Sequence, residues 1–142
     1  MGPRFGRLLK KTDVEGDAVT GGYLISYDDA DEDDDPRFYT EYYKMPVMIK
    51  NPDADEIQPE QLDFITSYIN DMENSIYNDV RFSNHEYEQY IDVDSWIDYY
   101  FVEELWGSYE MWRPRSVWMS KDRGGKICAG PGWDFEQSYF VR

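Results

Sequence analysis

The chain has 142 residues, 41% of them apolar and 18% aromatic, which is enough material for one domain with its own core. Lys and Arg total 14 against 30 Asp and Glu, and the net charge of -16 repels nucleic-acid phosphates and anionic membrane surfaces over a Debye length of roughly 8 Å, so no nucleic-acid partner is expected. The single cysteine, Cys128, rules out an internal disulfide and a Cys-rich zinc site but leaves the compartment open, and no apolar run approaches the roughly 20 residues that span a bilayer.

Residues 1–20 are basic and then mixed, with Arg4, Arg7, Lys10 and Lys11 ahead of Gly16, and read as a connecting arm to a domain over 21–142. They include no apolar core of a signal peptide. The stretch from Gly21 to Tyr27 follows a Gly pair with β-favouring residues and predicts a strand. Seven carboxylates then fill the eight positions from Asp28 to Asp35, whose mutual repulsion disfavours compact regular structure. A calcium loop would use such oxygens, but the EF-hand spacing is absent, so a solvated acidic tip is the expectation. Phe38 to Tyr43 and Pro46 to Lys50 read as one or two further strands, closed by the turn Asn51-Pro52-Asp53 and pairing with the Tyr23 strand.

From Pro59 the apolar period becomes helical. Leu62, Ile65, Ile69, Met72 and Ile76 recur at spacings of three and four, which places Asp63, Asn70, Asp71, Glu73 and Asn74 toward water. A second helix starts near Asp92 to Asp94, whose carboxylates can cap free N–H groups, with Val93, Trp96, Ile97, Tyr100, Phe101 and Leu105 as its expected buried face. His85, in the polar stretch between the helices, is expected at the surface. Ser116–Ser120 and Lys126–Ala129 read as strands of a hairpin turned by Gly124 and Gly125. The fold class that results is α+β, with two main helices and short β-hairpins.

Two acids deserve chemical weight because of this order. Glu110 lies in the loop after the second helix and Asp134 directly follows the hairpin, so hairpin closure can bring them together. A loop carboxylate that orients a hydroxyl, followed by an Asp-Phe whose Asp holds Mg²⁺, is the order of a kinase C-lobe.

Several segments taken together carry a resemblance to a known family. Gly21-Gly22-Tyr23-Leu24, Pro46 to Asp53, Tyr90 to Tyr99, Ser120-Lys121-Asp122-Arg123-Gly124-Gly125-Lys126 and Gly130 to Phe135 occur in the order found in the C-terminal half of the CotH (spore-coat) kinase family, which the chain resembles from Thr20 onward. The resemblance implies a partial protein-kinase-like C-lobe, lacking the N-terminal lobe and the C-terminal end, and inactive as an isolated chain. It implies ATP and Mg²⁺ as cofactors, Asp134 as the metal-binding residue, Glu110 as the catalytic residue acting on the substrate hydroxyl, and a Ser-rich protein as phosphate acceptor of the full-length parent, possible export of which is left open. Ser108 stands where the family commonly has a catalytic-loop Asn, Ser120 where it has Tyr, and Glu136 where Asp or Asn is common. These departures keep an alternative in view, a non-catalytic surface or adhesion protein that uses the same fold and an acidic binding face.

Overall fold

A computed structural model describes residues 6–28, 35–107 and 116–132. In chain order the strands are β1 (Tyr23–Tyr27), β2 (Arg37–Tyr39) and β3 (Pro46–Asn51), then β4 (Val117–Lys121) and β5 (Ile127–Ala129) after the helices. The helices are α1 (Pro59–Tyr77), the short α2 (Asp79–Ser83) and α3 (Val93–Trp106). The molecule is α+β, with α1 and α3 as its two main helices. All five strands form a single antiparallel sheet in the order β2-β3-β1-β4-β5. The β1–β3 and β4–β5 pairings are those expected, and β1 joins them by pairing with β4 as well.

The register decides which side chains meet. Ile25 sits opposite Ile49 on one side and Met119 on the other, so all three share a face. With Tyr23, Val47 and Ile127 they form one wall of the core, and Ile65, Ile69 and Met72 of α1 form the other. Burying each of these aliphatic side chains contributes about 1.5–3 kcal/mol, which holds α1 flat against the sheet. Pro59 occupies the first turn of α1, and the Gln58 N–H donates to Gln61 Oε1 at 3.0 Å.

The segment before β1 is fastened to this core. Leu9 joins the core cluster, and the fully buried Gln61 donates from Nε2 to the carbonyls of Lys10 (2.8 Å) and Asp13 (3.1 Å). A buried amide with these partners avoids the cost of unmet polar groups, so the N-terminal segment is specified by hydrogen bonding as well as by Leu9.

Two expectations about helix faces are corrected. Glu73 does not face water: it is 4% exposed, because the loop 40–45 closes over it and donates to its carboxylate from Thr40 Oγ1, Tyr42 N and Tyr43 N. The expected buried face of α3 is also displaced. Tyr99 and Glu103 are the buried residues, Trp96 is half-buried beside them, and Ile97, Tyr100, Phe101 and Leu105 are exposed. The stripe through Trp96, Tyr99 and Glu103 is rotated by roughly 100°, the turn of one residue, from the stripe that spacing selected. The rotation is set at the N-terminal end, where β5 grips the helix. The Asp92 N–H donates to the Ile127 carbonyl at 2.9 Å, Trp96 Nε1 to the same carbonyl at 3.3 Å, and the Ala129 N–H to Ser95 Oγ at 3.1 Å. The expected cap is present, with Asp92 Oδ1 accepting from the Ser95 N–H at 3.0 Å.

Candidate functional site

Glu110 and Asp134, together with Ser108 and Glu136, lie outside the described residues. What the described backbone gives is where their segments attach. The α3 helix ends at Gly107, whose φ of 65° lies in the left-handed region that a helix C-terminus commonly uses. The chain re-enters the sheet at Ser116 and Val117, and Val117 pairs with Tyr27 at the end of β1. On the other side of β4, Met119 pairs with Ala129, the last residue of β5. The Gly130 N–H continues this ladder by donating to the Trp118 carbonyl at 2.7 Å.

One end of the sheet therefore gathers three segments. Asp28 follows β1 there at the start of the acidic run, Ser116 leads into β4 there, and the chain leaves there at Gly130 in the direction of Asp134. A side-chain bond ties two of the three, since Ser116 Oγ donates to Asp28 Oδ2 at 3.1 Å. Gly130 has a φ of 99°, and a Cβ placed on it would stand 4.0 Å from the Tyr99 ring, so α3 also borders this end. The calcium-loop question concerns 29–34, which lie outside the described residues; among the described residues no group of three His, Cys, Asp or Glu is placed to hold a metal ion.

At the opposite end the hairpin turn is held by a side chain that sequence reasoning passed over. Lys121 is 2% exposed, and its Nζ donates to the carbonyls of Thr20 (2.7 Å) and Gly125 (2.7 Å), with the Asp122 carbonyl at 3.4 Å. The Tyr68 ring lies 4.5 Å from the ammonium and the Phe64 ring 5.6 Å. Burial pushes the Lys121 ammonium down to about 8, against the smaller opposing pull of the Asp122 and Asp17 charges. Around it, Arg123 Nη2 reaches the Ala18 carbonyl at 3.3 Å and the buried Asp13 carboxylate at 3.4 Å, and the Gly124 N–H donates to Thr20 Oγ1 at 2.9 Å. Gly21 passes so close to the backbone of Asp122 and Arg123 that no side chain fits there. The signal was legible: in a strand of period two, Lys121 falls on the same side as Met119 and Val117, the core side.

His85 is exposed as expected, with Nδ1 3.2 Å from Glu88 Oε1. Ser120, the expected Tyr position, is buried between Leu24 and Cys128, its register partners on either side. Among the described residues no helix is long and apolar enough to cross a membrane.

With this geometry in place, comparison with known proteins gives one finding. A family model described as CotH kinase protein matches residues 7–141, a span that takes in every described strand and helix. No curated protein and no solved structure matches the chain.

Proposed function

The chain belongs to the CotH kinase family, and from that membership we propose that it serves an ATP- and Mg²⁺-dependent phosphotransfer to Ser or Thr hydroxyls of a Ser-rich protein. The observation that carries the reading is the shared attachment of the Glu110 and Asp134 segments at one end of β4 and β5. In this reading Asp134 holds the metal through carboxylate oxygens, the donor type that suits Mg²⁺. When bound, the metal with ATP supplies the transferable phosphoryl group and neutralises its oxygens. Glu110 accepts a hydrogen bond from the acceptor hydroxyl, orients it for attack and takes its proton. The Lys121 clasp fixes the turn end of the hairpin that precedes the Asp134 segment in the chain.

Phosphate labelling from ATP, measured in the protein that carries this chain, tests the reading. Asp134→Asn is expected to abolish labelling, and Glu110→Gln to slow it by about 10²–10⁴-fold. Labelling that persists unchanged in Asp134→Asn would reject the assigned role. The acidic run and the net charge of -16 favour a second reading, a non-catalytic surface module with an acidic binding face. Calorimetric titration with ATP and Mg²⁺ separates the two, since an adhesion module has no need to take up nucleotide.

A further inference from the structure

Glu73 is a buried carboxyl group for which no ion-pair partner exists among the described residues. Its Oε1 accepts from Thr40 Oγ1 at 2.8 Å, and its Oε2 accepts from the backbone N–H groups of Tyr42 (3.0 Å) and Tyr43 (3.3 Å). These are neutral donors. They satisfy most of the carboxylate's lone pairs without supplying a cationic partner.

The charge borders a cavity of about 500 Å³ whose wall is mostly aromatic. Tyr27, Tyr43, Tyr77, Trp96, Tyr99 and Tyr100 line it together with Glu73. The bonds to Glu73 also arrange part of this wall, because they hold the loop that carries Tyr42 and Tyr43. Tyr43 stands 4.1 Å from Tyr77 between ring centroids, and Tyr42 stacks on Tyr77 at 5.3 Å with planes 2° apart. The Glu73 charge reaches these rings, where it adds to burial in pushing the phenols of Tyr27 and Tyr77 up.

We propose that this cavity is a binding site for a small organic cation of the methylated-ammonium class, held by an aromatic cage above the Glu73 carboxylate. Electron-rich ring faces and a desolvated anion both attract a cation and repel phosphate. The class follows from the supply of acceptors. A primary ammonium or a guanidinium brings three to five N–H donors, and after its three bonds Glu73 has little acceptor capacity left for them. A bare hard cation takes carboxylate and carbonyl oxygens as its usual ligands, and Glu73 is the one carboxylate in the lining. A quaternary, fully methylated ammonium has no N–H to donate and offers methyl groups to the rings, so wall and ligand match in polarity as well as in charge. The inference is independent of the phosphotransfer reading, since it uses neither Glu110 nor Asp134.

Isothermal titration of the protein with choline and with tetramethylammonium, at matched ionic strength, tests it against 3,3-dimethylbutanol, the uncharged carbon isostere of choline. Both cations are expected to bind, and the isostere to bind at least about tenfold more weakly. Tyr77→Leu, at a position 41% exposed that the fold tolerates, is expected to weaken choline binding about tenfold, and Glu73→Gln to weaken it at least as much. Should Glu73→Gln fail to fold, the isostere and Tyr77→Leu decide the matter without it. Equal binding of the isostere, unchanged affinity in Tyr77→Leu, or no binding of either cation would overturn the proposal.

Discussion

α3 is the more apolar of the two main helices, with 9 apolar residues in 14 against 8 in 19 for α1, yet it is the less buried. α1 lies across the middle of the sheet, so Ile65 and Ile69 are fully buried against strands on either side of β1. α3 is held mainly by β5 at the sheet edge, through Asp92, Ser95 and Trp96, and leaves Phe101 65% and Leu105 69% exposed. A helix that crosses a sheet has its orientation chosen by apolar area along its whole length. One gripped at its first turn by hydrogen bonds has it chosen there, and the later turns follow rigidly at 100° per residue.

Substitutions in the two helices should separate these regimes. The largest effect is expected from Ile69→Ala, which opens a cavity between α1 and the sheet and should cost about 3 kcal/mol in urea unfolding. A loss near that of an exposed site would mean that α1 is not the helix that closes the core.

Lys121 lies under the rings of α1, and its replacement sharpens the same contrast. Lys121→Met leaves the Thr20 and Gly125 carbonyls without a donor and should cost about 1–3 kcal/mol. The pH dependence carries a sign. The folded protein holds this ammonium at about 8 against an ordinary 10.5, so between those values the unfolded chain binds more protons and stability rises with pH. Beyond about 10 the trend reverses, because burial raises the phenols of Tyr23, Tyr27 and Tyr68, and the unfolded chain then gives up protons that the folded one keeps. Denaturant titrations of wild type and Lys121→Met from pH 8 to pH 10 should show the wild type gaining relative to the variant.

The smallest effect is expected from the exposed turns of α3. Phe101→Ser and Leu105→Ser should each stay within about 0.5 kcal/mol of wild type in the same assay. A cost of 2 kcal/mol or more at either position would show that this face is covered in solution.

Much of the fold was legible because its periods are local. The Tyr23, Pro46 and Val117 strands, both main helices and the Asp92 cap follow from side-chain spacing and turn residues, and all are present. α2 and its Asn78 cap went unread, since five residues carry too little periodicity to be told from a loop. Glu73 was misread for a different reason. Nothing in the helix pattern shows that a loop more than 25 residues earlier will lay Thr40, Tyr42 and Tyr43 over it. The candidate acids Glu110 and Asp134 came from motif order, and both lie outside the described residues.

By itself the sequence determined the α+β class, the strands and main helices, the family and the strongly acidic character, because each is written in neighbouring residues or in ordered motifs. Only the tertiary structure decided that β1 joins the two hairpins into one sheet, which side of α3 faces inward, and that Glu73 and Lys121 are buried. Those outcomes depend on contacts between residues far apart in the chain, whose free energy exists only once the partners have been brought together.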